Sequence, residues 1–357
     1  MNRGIMNMGN NEEKLGLVYH PDYLIHTQSQ HPERKERLEH IVAAITEGDL
    51  LKRVEMFEPL PAKVEEIALI HDRRYISSVE ESCLNGEYSL DLDTYIVPDS
   101  YRVALFSAGG ALTGLRKIFE QSLRKVFVLN RPPGHHAEKN RAMGFCLFNN
   151  IAVAAAVARR DYGLERIAIV DWDVHHGNGT QHSFENDRAV LFISLHQSPA
   201  FPGTGNTQEV GRGDGEGFTV NIPLPAGSGD AEYKIFFEQV VVPILDAYKP
   251  ELLLVSAGQD AYRHDPLAGM ALTHQGYYNM ASSLAGVAER WSKGRMLLCL
   301  EGGYHLKGQA GAVVQVLNAL GNWGLPVTED TPISIPGIFA LERLQQVMAI
   351  QRRYWPL

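Results

Sequence analysis

Two aspartates and two histidines are packed into one short segment of the sequence. The segment is DWDVHHGNG, residues 171–179, and it directly follows an apolar run. Asp171, Asp173 and His175 alternate along the chain, so in an extended backbone their side chains share one side. Burying such groups is costly unless a partner neutralises them. The pattern therefore indicates a metal ion; the alternatives are a solvated loop, or a helix or turn capped by Asp173 and His175.

A third ligand for such an ion comes from a distant part of the chain. Asp260 closes another apolar run and joins Asp173 and His175 as a candidate ligand. Two carboxylates and one imidazole suit a divalent ion such as Zn²⁺ and leave one position for water, which indicates a catalytic metal. Ferrous iron and cobalt accept the same ligand types, so the ligand set does not choose among these metals.

The segment RPPGHH carries a second histidine pair, His135 and His136, on a stiff proline–glycine turn. Beside a metal, such a pair can take a proton from water and deliver one to a leaving group. Asp171 and Asn178 are the expected partners that orient these two rings. The histidine beside the carboxylate should be more basic than the one beside the amide, which separates an electrostatic role from a base role.

Aromatic residues complete the candidate site. Tyr304 follows two glycines in LEGGYHL, where a phenol can donate a hydrogen bond to an oxyanion formed from a carbonyl. Phe145 and Phe201 lie in two other loop segments. One interpretation of these two phenylalanines is core packing. The other is that they face each other across a channel that holds an apolar chain, such as the methylenes of lysine.

The elements that must position these residues are short apolar runs with helical segments between them. The runs are continuous rather than alternating, which indicates strands buried on both faces of a parallel sheet. Residues 149–163, 231–247 and 277–291 are predicted helices, the second of them bent or interrupted at Pro243. This alternation predicts a single α/β domain, a mainly parallel multi-stranded sheet with helices on both faces. The predicted strands are 15–19, 126–129, 167–170, 190–195, 252–255 and 296–300.

The chemically active segments come directly after four of these runs. RPPGHH, DWDVHH, SAGQD and EGGY follow the strands that end near residues 129, 170, 255 and 300. Ligands of open α/β sheets bind beyond the carboxyl ends of the strands. Four loops are therefore expected to converge on one site, and this convergence favours a metal site more than any single motif does.

Composition limits the partners and the compartment. The chain has 357 residues and a net charge of −9, which argues against a nucleic-acid surface, and no apolar run approaches membrane-spanning length. Three scattered cysteines are too few for a disulfide framework, which favours a reducing, cytoplasmic setting. Residues 1–14 are expected to form a mobile polar tail and residues 15–357 a single catalytic domain. The sequence favours neither a monomer nor an oligomer.

Six motifs in order resemble the histone deacetylase family, the hydrolases of the arginase–deacetylase fold. The resemblance runs from about residue 15 to 320. The segments AMGFCLFNN and DWDVHHGNG are similar to those of the class II branch and of bacterial deacetylase-like amidohydrolases. Class I members usually carry Asp where this chain has Asn178. The motifs are HPERKERL, RPPGHHAEKNRAMGFCLFNN, IVDWDVHHGNGTQ, SLHQSPAFPGTG, SAGQDAYRHDPLAGM and EGGY.

The resemblance implies a role for each catalytic candidate. Zinc would be held by Asp173, His175 and Asp260. His136, rather than His135, would be the general base and acid. Tyr304 would bind the carbonyl and then the oxyanion.

The resemblance also implies a substrate tunnel and a second ion. Phe145 and Phe201 would wall the tunnel, and Gly144 would lie along it. Arg37 would support the floor beneath the turn at Gly302 and Gly303, with Gly303 placed beside the substrate. A structural potassium ion would be held by the Asp171 side chain, by Ser194 and by nearby backbone carbonyls, among them that of Leu195.

Four positions bear on activity and substrate. Leu267 stands where polyamine-selective relatives place a glutamate, which favours lysine side chains over cationic polyamines. Tyr304 is kept where some vertebrate class II enzymes carry His, so full deacetylase activity is expected. Gln259 replaces a frequent Phe beside the metal aspartate and is expected to alter local packing. Asp93, in LDTYIVP, is the candidate contact to a substrate backbone.

These observations predict a zinc-dependent amidohydrolase that removes acetyl or related acyl groups from lysine in a protein or peptide. Acetylated polyamines and other small acetylated amines are the alternative substrates. A binuclear manganese hydrolase of the arginase type would need extra carboxylates where RPPGHHAEKN supplies histidines. A catalytically silent acyl-lysine binder would lack Tyr304 or a metal ligand, and the sequence keeps them all.

Overall fold

An eight-stranded sheet, parallel throughout, organises the computed structural model, which describes residues 15–120, 123–327 and 335–357. The spatial order is β2–β1–β3–β8–β7–β4–β5–β6. The predicted tail, residues 1–14, lies outside the described residues. In chain order the strands are β1 Leu15–Val18, β2 Val54–Phe57, β3 Lys125–Val128, β4 Ile167–Asp171, β5 Val190–Gln197, β6 Thr219–Leu224, β7 Leu252–Ala257 and β8 Met296–Leu300.

All six predicted strands are confirmed, whereas β2 and β6 were not predicted. Both lie at the edges of the sheet. Strand β2, VEMF, has its two middle residues exposed, so it lacks the continuous apolar run of a central strand. Strand β6, TVNIPL, is interrupted by Asn221 and by Pro223, a residue that sheets accept mainly at their edges.

Helices cover both faces of the sheet and complete the predicted single α/β domain. Helix α5 confirms the helix predicted after Asn149, whose side chain caps it by accepting from the Ala152 N–H. Gly163 ends α5 in the left-handed conformation. The helices are α1 Glu36–Glu47, α2 Val64–Ile67, α3 Arg73–Leu84, α4 Ser100–Glu120, α5 Asn150–Tyr162, α6 Asn178–Phe184, α7 Asp230–Phe236, α8 Val242–Tyr248, α9 His274–Trp291, α10 Leu306–Gly321 and α11 Ile338–Gln351.

The helix predicted over 231–247 is interrupted, although the break precedes the proline. A π-helical turn, Phe237–Val241, separates α7 from α8. Pro243 then lies in the first turn of α8, a position at which proline is common. The helix predicted over 277–291 begins slightly earlier, at His274.

Two apolar layers hold the helices to the sheet, as expected for strands buried on both faces. In β3, Phe127 packs into the layer that also receives α1 and α7 to α11, while Val126 and Val128 pack into the layer beneath α3 to α5. The alternation follows from the two-residue period of a strand. In the described part of the chain, no helix combines the length and apolarity that a membrane crossing requires.

The order of the strands brings the four active segments to one edge. Strands β3, β8, β7 and β4 are consecutive neighbours in the sheet. RPPGHH, EGGY, SAGQD and DWDVHH therefore leave adjacent strand ends, although they are widely separated in sequence.

Candidate active site

Asp173, His175 and Asp260 bring their ligand atoms to within 4.8 Å of one another. His175 Nδ1 lies 3.2 Å from Asp173 Oδ1 and 3.2 Å from Asp260 Oδ2. Both carboxylates are fully buried. Two buried carboxylates and an imidazole with this spacing fit a divalent cation, which would neutralise them. Among the described residues, no other group of three histidines, cysteines or acids brings its ligand atoms this close together.

Backbone N–H groups from neighbouring loops fix the two carboxylates. The N–H of Val174 donates to Asp260 Oδ1 at 2.8 Å, and the N–H of Gly302 donates to Asp173 Oδ2 at 2.7 Å. These bonds link the loops that follow β4, β7 and β8. The candidate ligands are thus held by hydrogen bonds between the loops at the carboxyl ends of these strands.

Burial and mutual contacts shift the pKa values of the candidate ligands. Burial, followed by the nearby Asp173, raises the pKa of Asp260 to about 7. Burial lowers the pKa of His175, but hydrogen bonds to Asp173 and Asp260 outweigh it and raise the value to about 10. The site therefore attracts positive charge, whether as a proton or as a metal ion.

Two histidines beside the ligands have different partners. His135 Nδ1 lies 2.9 Å from Asp171 Oδ2, whereas His136 Nδ1 lies 2.7 Å from Asn178 Oδ1. The two ring centroids are 4.0 Å apart. The structure thus shows the partners that the sequence analysis expected for these rings.

The two imidazoles also differ in basicity. Burial lowers the pKa of His135, but the charges of Asp173 and then Asp171 outweigh this effect and raise the pKa to about 10. Burial, His135 and His175 together hold the pKa of His136 well below its ordinary value. The pKa of His135 is thus raised and that of His136 lowered, with a carboxylate beside the first ring and an amide beside the second.

A cavity of about 220 Å³ opens onto these residues. Phe201 packs edge-on against His136 with ring centroids 5.0 Å apart, and Phe145 packs edge-on against Tyr304 at 5.8 Å. Nine residues singled out from the sequence line the cavity, namely Asp93, His135, His136, Gly144, Phe145, His175, Phe201, Leu267 and Tyr304.

An unusual backbone conformation brings Phe145 to the cavity. Phe145 has a φ of 68°, a left-handed conformation that is uncommon for a bulky residue. Its N–H donates to Thr94 Oγ1 at 3.2 Å, and the N–H of Gly144 donates to Asp93 Oδ1 at 3.1 Å. A Cβ on Gly144 would lie 2.3 Å from His136 Cδ2, so only glycine permits this close approach.

The turn that carries Tyr304 is held from two sides. The N–H of Tyr304 donates to Asp265 Oδ2 at 2.6 Å. Arg37 Nε donates to the Gly303 carbonyl oxygen at 2.7 Å, and its guanidinium carbon lies 4.9 Å from the Tyr304 ring centroid. Burial raises the pKa of the Tyr304 hydroxyl well above its ordinary value, which keeps it protonated and able to donate a hydrogen bond.

Comparison with known protein families matches residues 31–320 to the histone deacetylase domain. The chain belongs to the histone deacetylase family. The match covers most of the chain and includes every candidate ligand. Membership in this family makes the chain a hydrolase of the deacetylase type.

Individual members of the histone deacetylase family resemble the chain over most of its length. A probable deacetylase of Archaeoglobus fulgidus is 36% identical and aligns over 95% of this chain and 98% of its own. A histone deacetylase-like amidohydrolase of Pseudomonas aeruginosa is 38% identical, over 81% of this chain and 75% of its own. The crystal structure of the HDA15 HD domain matches with a TM-score of 0.88 and 36% identity, over 97% of this chain and 96% of that chain.

The remaining sequence candidates lie around the cavity rather than in it. Gly302, not Gly303, lines the cavity, and the Gly303 carbonyl instead accepts from Arg37. Gln259 is buried and donates to the backbone of Ala257 at 2.9 Å. Asp171 and Ser194 are register partners on β4 and β5, with Leu195 next on β5.

Glu301 supports the histidine turn and was not predicted from the sequence. Its Oε2 accepts from the N–H groups of Gly134 and His135 at 2.6 and 3.2 Å. Burial raises the pKa of Glu301 to about 7. The sequence signal for this role is that Glu301 is an acid directly after an apolar strand and before two glycines. Asp265 and Glu138 were missed as well, because their partners come from distant segments.

Proposed function

We propose that this histone deacetylase-family chain is a zinc-dependent hydrolase that removes acetyl, or a related acyl group, from the lysine ε-amine of a protein or peptide. The observation that carries the proposal is a three-ligand group beside a cavity with aromatic walls. An acyl-lysine side chain has the matching form, an apolar chain that ends in an amide. Phe145 and Phe201 would hold its methylenes.

Asp173, His175 and Asp260 would hold the metal. When bound, a divalent ion such as Zn²⁺ supplies Lewis-acid polarisation of the amide carbonyl and lowers the pKa of a water. Asn178 engages His136 at Nδ1, which leaves Nε2 to take the proton from the attacking water. As the carbon–nitrogen bond breaks, His136 returns a proton to nitrogen, because an amide anion is too basic to leave. The products are a carboxylate and a free amine.

The other polar groups have separate tasks in this proposal. The Tyr304 hydroxyl donates a hydrogen bond to the carbonyl oxygen and holds the oxyanion that forms when water adds. His135, paired with Asp171, would stabilise the same negative charge. Neither group needs to move, since both already line the cavity.

Two residues of the cavity favour a lysine substrate over a polyamine. The uncharged Leu267 side chain is 42% exposed at the cavity, so it offers no partner to a polyamine cation. Asp93 places a carboxylate at the same cavity, where it can accept from backbone N–H groups of a peptide.

A potassium ion at Asp171, Ser194 and Leu195 is a second part of the proposal. Asp171 and Ser194 face each other across neighbouring strands, and both are fully buried. Their side-chain oxygens and the backbone carbonyls beside them are the oxygen ligands that suit a hard cation. Such an ion would stabilise the loop that carries the zinc ligands.

Turnover of two matched substrates tests the proposed function. The zinc-loaded protein is given an acetyl-lysine peptide and an acetylated polyamine, and zinc is then removed by chelation and restored. We expect faster turnover of the peptide, loss after chelation and recovery with zinc. A polyamine preference would contradict the lysine assignment, and unchanged activity after complete metal removal would contradict the metal assignment. An inactive protein with bound zinc would contradict the deacylase itself.

A further inference from the structure

Asn178 supports His136 through an amide whose two ends differ chemically. Its Oδ1 lies 2.7 Å from His136 Nδ1, so this ring nitrogen carries the proton that is donated. If the amide were rotated by half a turn, its NH₂ group would face the ring and would require an acceptor there. The ring would then keep its proton on Nε2 and lose the electron pair that accepts a proton from water.

Glu138 contacts the other end of the same amide. Asn178 Nδ2 donates to Glu138 Oε1 at 2.5 Å and to the backbone carbonyl of His136 at 3.2 Å. An ionised carboxylate accepts hydrogen bonds and donates none. A rotated amide would place its oxygen against that carboxylate, with no proton between the two oxygens.

Glu138 is itself ionised and fixed in place. His182 Nδ1 lies 2.9 and 3.1 Å from its two carboxylate oxygens. Burial raises the pKa of Glu138, but hydrogen bonds from His182 and Asn178 outweigh it, so the pKa is lowered. Its backbone carbonyl accepts from His71 at 2.9 Å, and its N–H donates to the Arg141 carbonyl at 2.9 Å.

These contacts form a continuous polar chain from the cavity to the surface. His136 lines the cavity, Asn178 and Glu138 follow, and the His182 side chain is 42% exposed to solvent. Each link is a hydrogen bond with one favourable direction. A charge near the surface thereby sets the orientation of a neutral amide in the interior.

We propose that Glu138 is a positioning residue of the deacylation site, which fixes the Asn178 amide so that His136 carries its proton on Nδ1 and keeps Nε2 free. The proposal rests on the proposed function for the role of His136 as the base. The orientation of the proton on the ring is measurable without any substrate. A carboxylate beside His136 could only accept the proton from Nδ1. Glu138 makes the neutral Asn178 amide do the same, because it keeps the amide oxygen turned towards the ring.

Nitrogen NMR of the zinc-loaded full chain tests this inference. Protein labelled with ¹⁵N-histidine is compared with Glu138→Ala, the His136 signals being assigned with His136→Gln. We expect a protonated Nδ1 and a free Nε2 in the parent, and a mixture of tautomers in Glu138→Ala. In peptide assays we expect kcat to fall about 10- to 100-fold in Glu138→Ala, with KM little changed.

A double variant that exchanges the acid of Glu138 and the amide of Asn178 gives the most specific test. In the double variant Asn178→Asp/Glu138→Gln the carboxylate stands beside His136 and the amide stands behind it. We expect this exchange to restore the Nδ1 tautomer and most of kcat. Glu47→Gln, which removes the same charge at the exposed end of α1, is the matched control and should leave both readouts unchanged.

Two results would overturn the role of Glu138. One is a His136 spectrum that Glu138→Ala leaves unchanged, and the other is a double variant no more active than Glu138→Ala. If the alanine variant does not fold, Glu138→Gln keeps the side-chain shape and is expected to shift both readouts in the same direction by less. A parent protein without peptide turnover would contradict the proposed function instead, while the tautomer comparison would still decide the role of Glu138.

Discussion

Arg37 and Gly303 are joined by a buried hydrogen bond of 2.7 Å from Nε to the carbonyl oxygen, across 266 residues of sequence. The same guanidinium donates to Glu33 Oε1 at 3.0 Å and lies against the Tyr304 ring. Helix α1 is thereby bound to the turn that carries the proposed oxyanion donor. Arg37 therefore supports the site although it does not line the cavity.

Replacing Arg37 tests this link. Arg37→Ala removes the guanidinium that donates to the Gly303 and Glu301 carbonyls and leaves buried Glu33 paired with Arg131. Because Glu33 keeps Arg131, the main cost is that of buried polar groups left unsatisfied, about 1–3 kcal/mol, so we expect the free energy of unfolding in urea to fall by about this amount, and kcat to fall with it. Arg34→Ala, in the same segment but partly exposed, should cost less than about 1 kcal/mol. Equal losses in the two variants would contradict the account.

Asp265 positions the Tyr304 turn through backbone contacts. Its Oδ2 accepts from the N–H groups of Tyr304 and His305 at 2.6 and 3.2 Å, and its Oδ1 accepts from that of Leu267 at 2.9 Å. In Asp265→Asn an NH₂ group must face one of these donors. We therefore expect kcat on the peptide to fall about tenfold while the zinc content stays unchanged. The exposed Asp49→Asn is the control, and a normal kcat in Asp265→Asn would refute the role.

His71 makes folding stability depend on pH. It is buried, with Nδ1 2.9 Å from the Glu138 carbonyl and Nε2 2.9 Å from the Asn149 N–H, and burial lowers its pKa to about 4. The unfolded chain takes up a proton at His71 below about pH 6.5, whereas the folded chain does so only near pH 4. The contribution is therefore complete above about pH 6.5 and is lost as pH falls, up to about 3 kcal/mol.

The comparison of His71→Gln with the parent isolates this contribution. Glutamine can donate to one backbone group and accept from the other but does not titrate. We expect the free energy of unfolding, measured by urea titration from about pH 7 to pH 4, to fall less steeply in the variant. His26, whose pKa burial lowers to about 3, titrates in both proteins and cancels in the difference. Parallel curves would show that His71 does not contribute.

Leu267 is expected to limit the use of polyamines. Leu267→Glu would place a carboxylate at the rim of the cavity, where an exposed ion pair contributes about 1 kcal/mol. We therefore expect the ratio of kcat/KM for acetylated polyamine over acetyl-lysine peptide to rise about fivefold. Leu267→Gln adds polarity without charge and should leave the ratio near the parent value. An equal response of the two variants would rule out the electrostatic explanation.

The central sheet and the position of the site could be predicted from sequence for one physical reason. Central parallel strands are buried on both faces, so they appear as continuous apolar runs, and their polar ends mark the ligand-binding edge. The edge strands β2 and β6 lack this signal because β2 is exposed in its middle and β6 contains Asn221 and Pro223. Which four strand ends are adjacent depends on strand order, which no local pattern contains.

The residues that support the site were harder to predict than those that line it. Asp173 and His175 can be recognised from their residue types and their spacing within one segment. Asp265, by contrast, acts on backbone N–H groups 39 and 40 residues away, and Glu138 acts on an amide 40 residues away. Single carboxylates of this kind resemble any solvated acid until folding brings their partners to them.

Removing the Tyr304 hydroxyl tests the proposed lysine deacylation most directly. Tyr304→Phe removes one oxygen and keeps the ring that packs against Phe145 and Arg37. The measurement is kcat on an acetyl-lysine peptide for the zinc-loaded parent and variant, with KM and zinc content recorded for both. We expect a kcat about 100- to 1,000-fold lower in the variant, with KM and zinc content unchanged. A variant as active as the parent, or a zinc-loaded parent that does not turn over the peptide, would contradict the proposed deacylation.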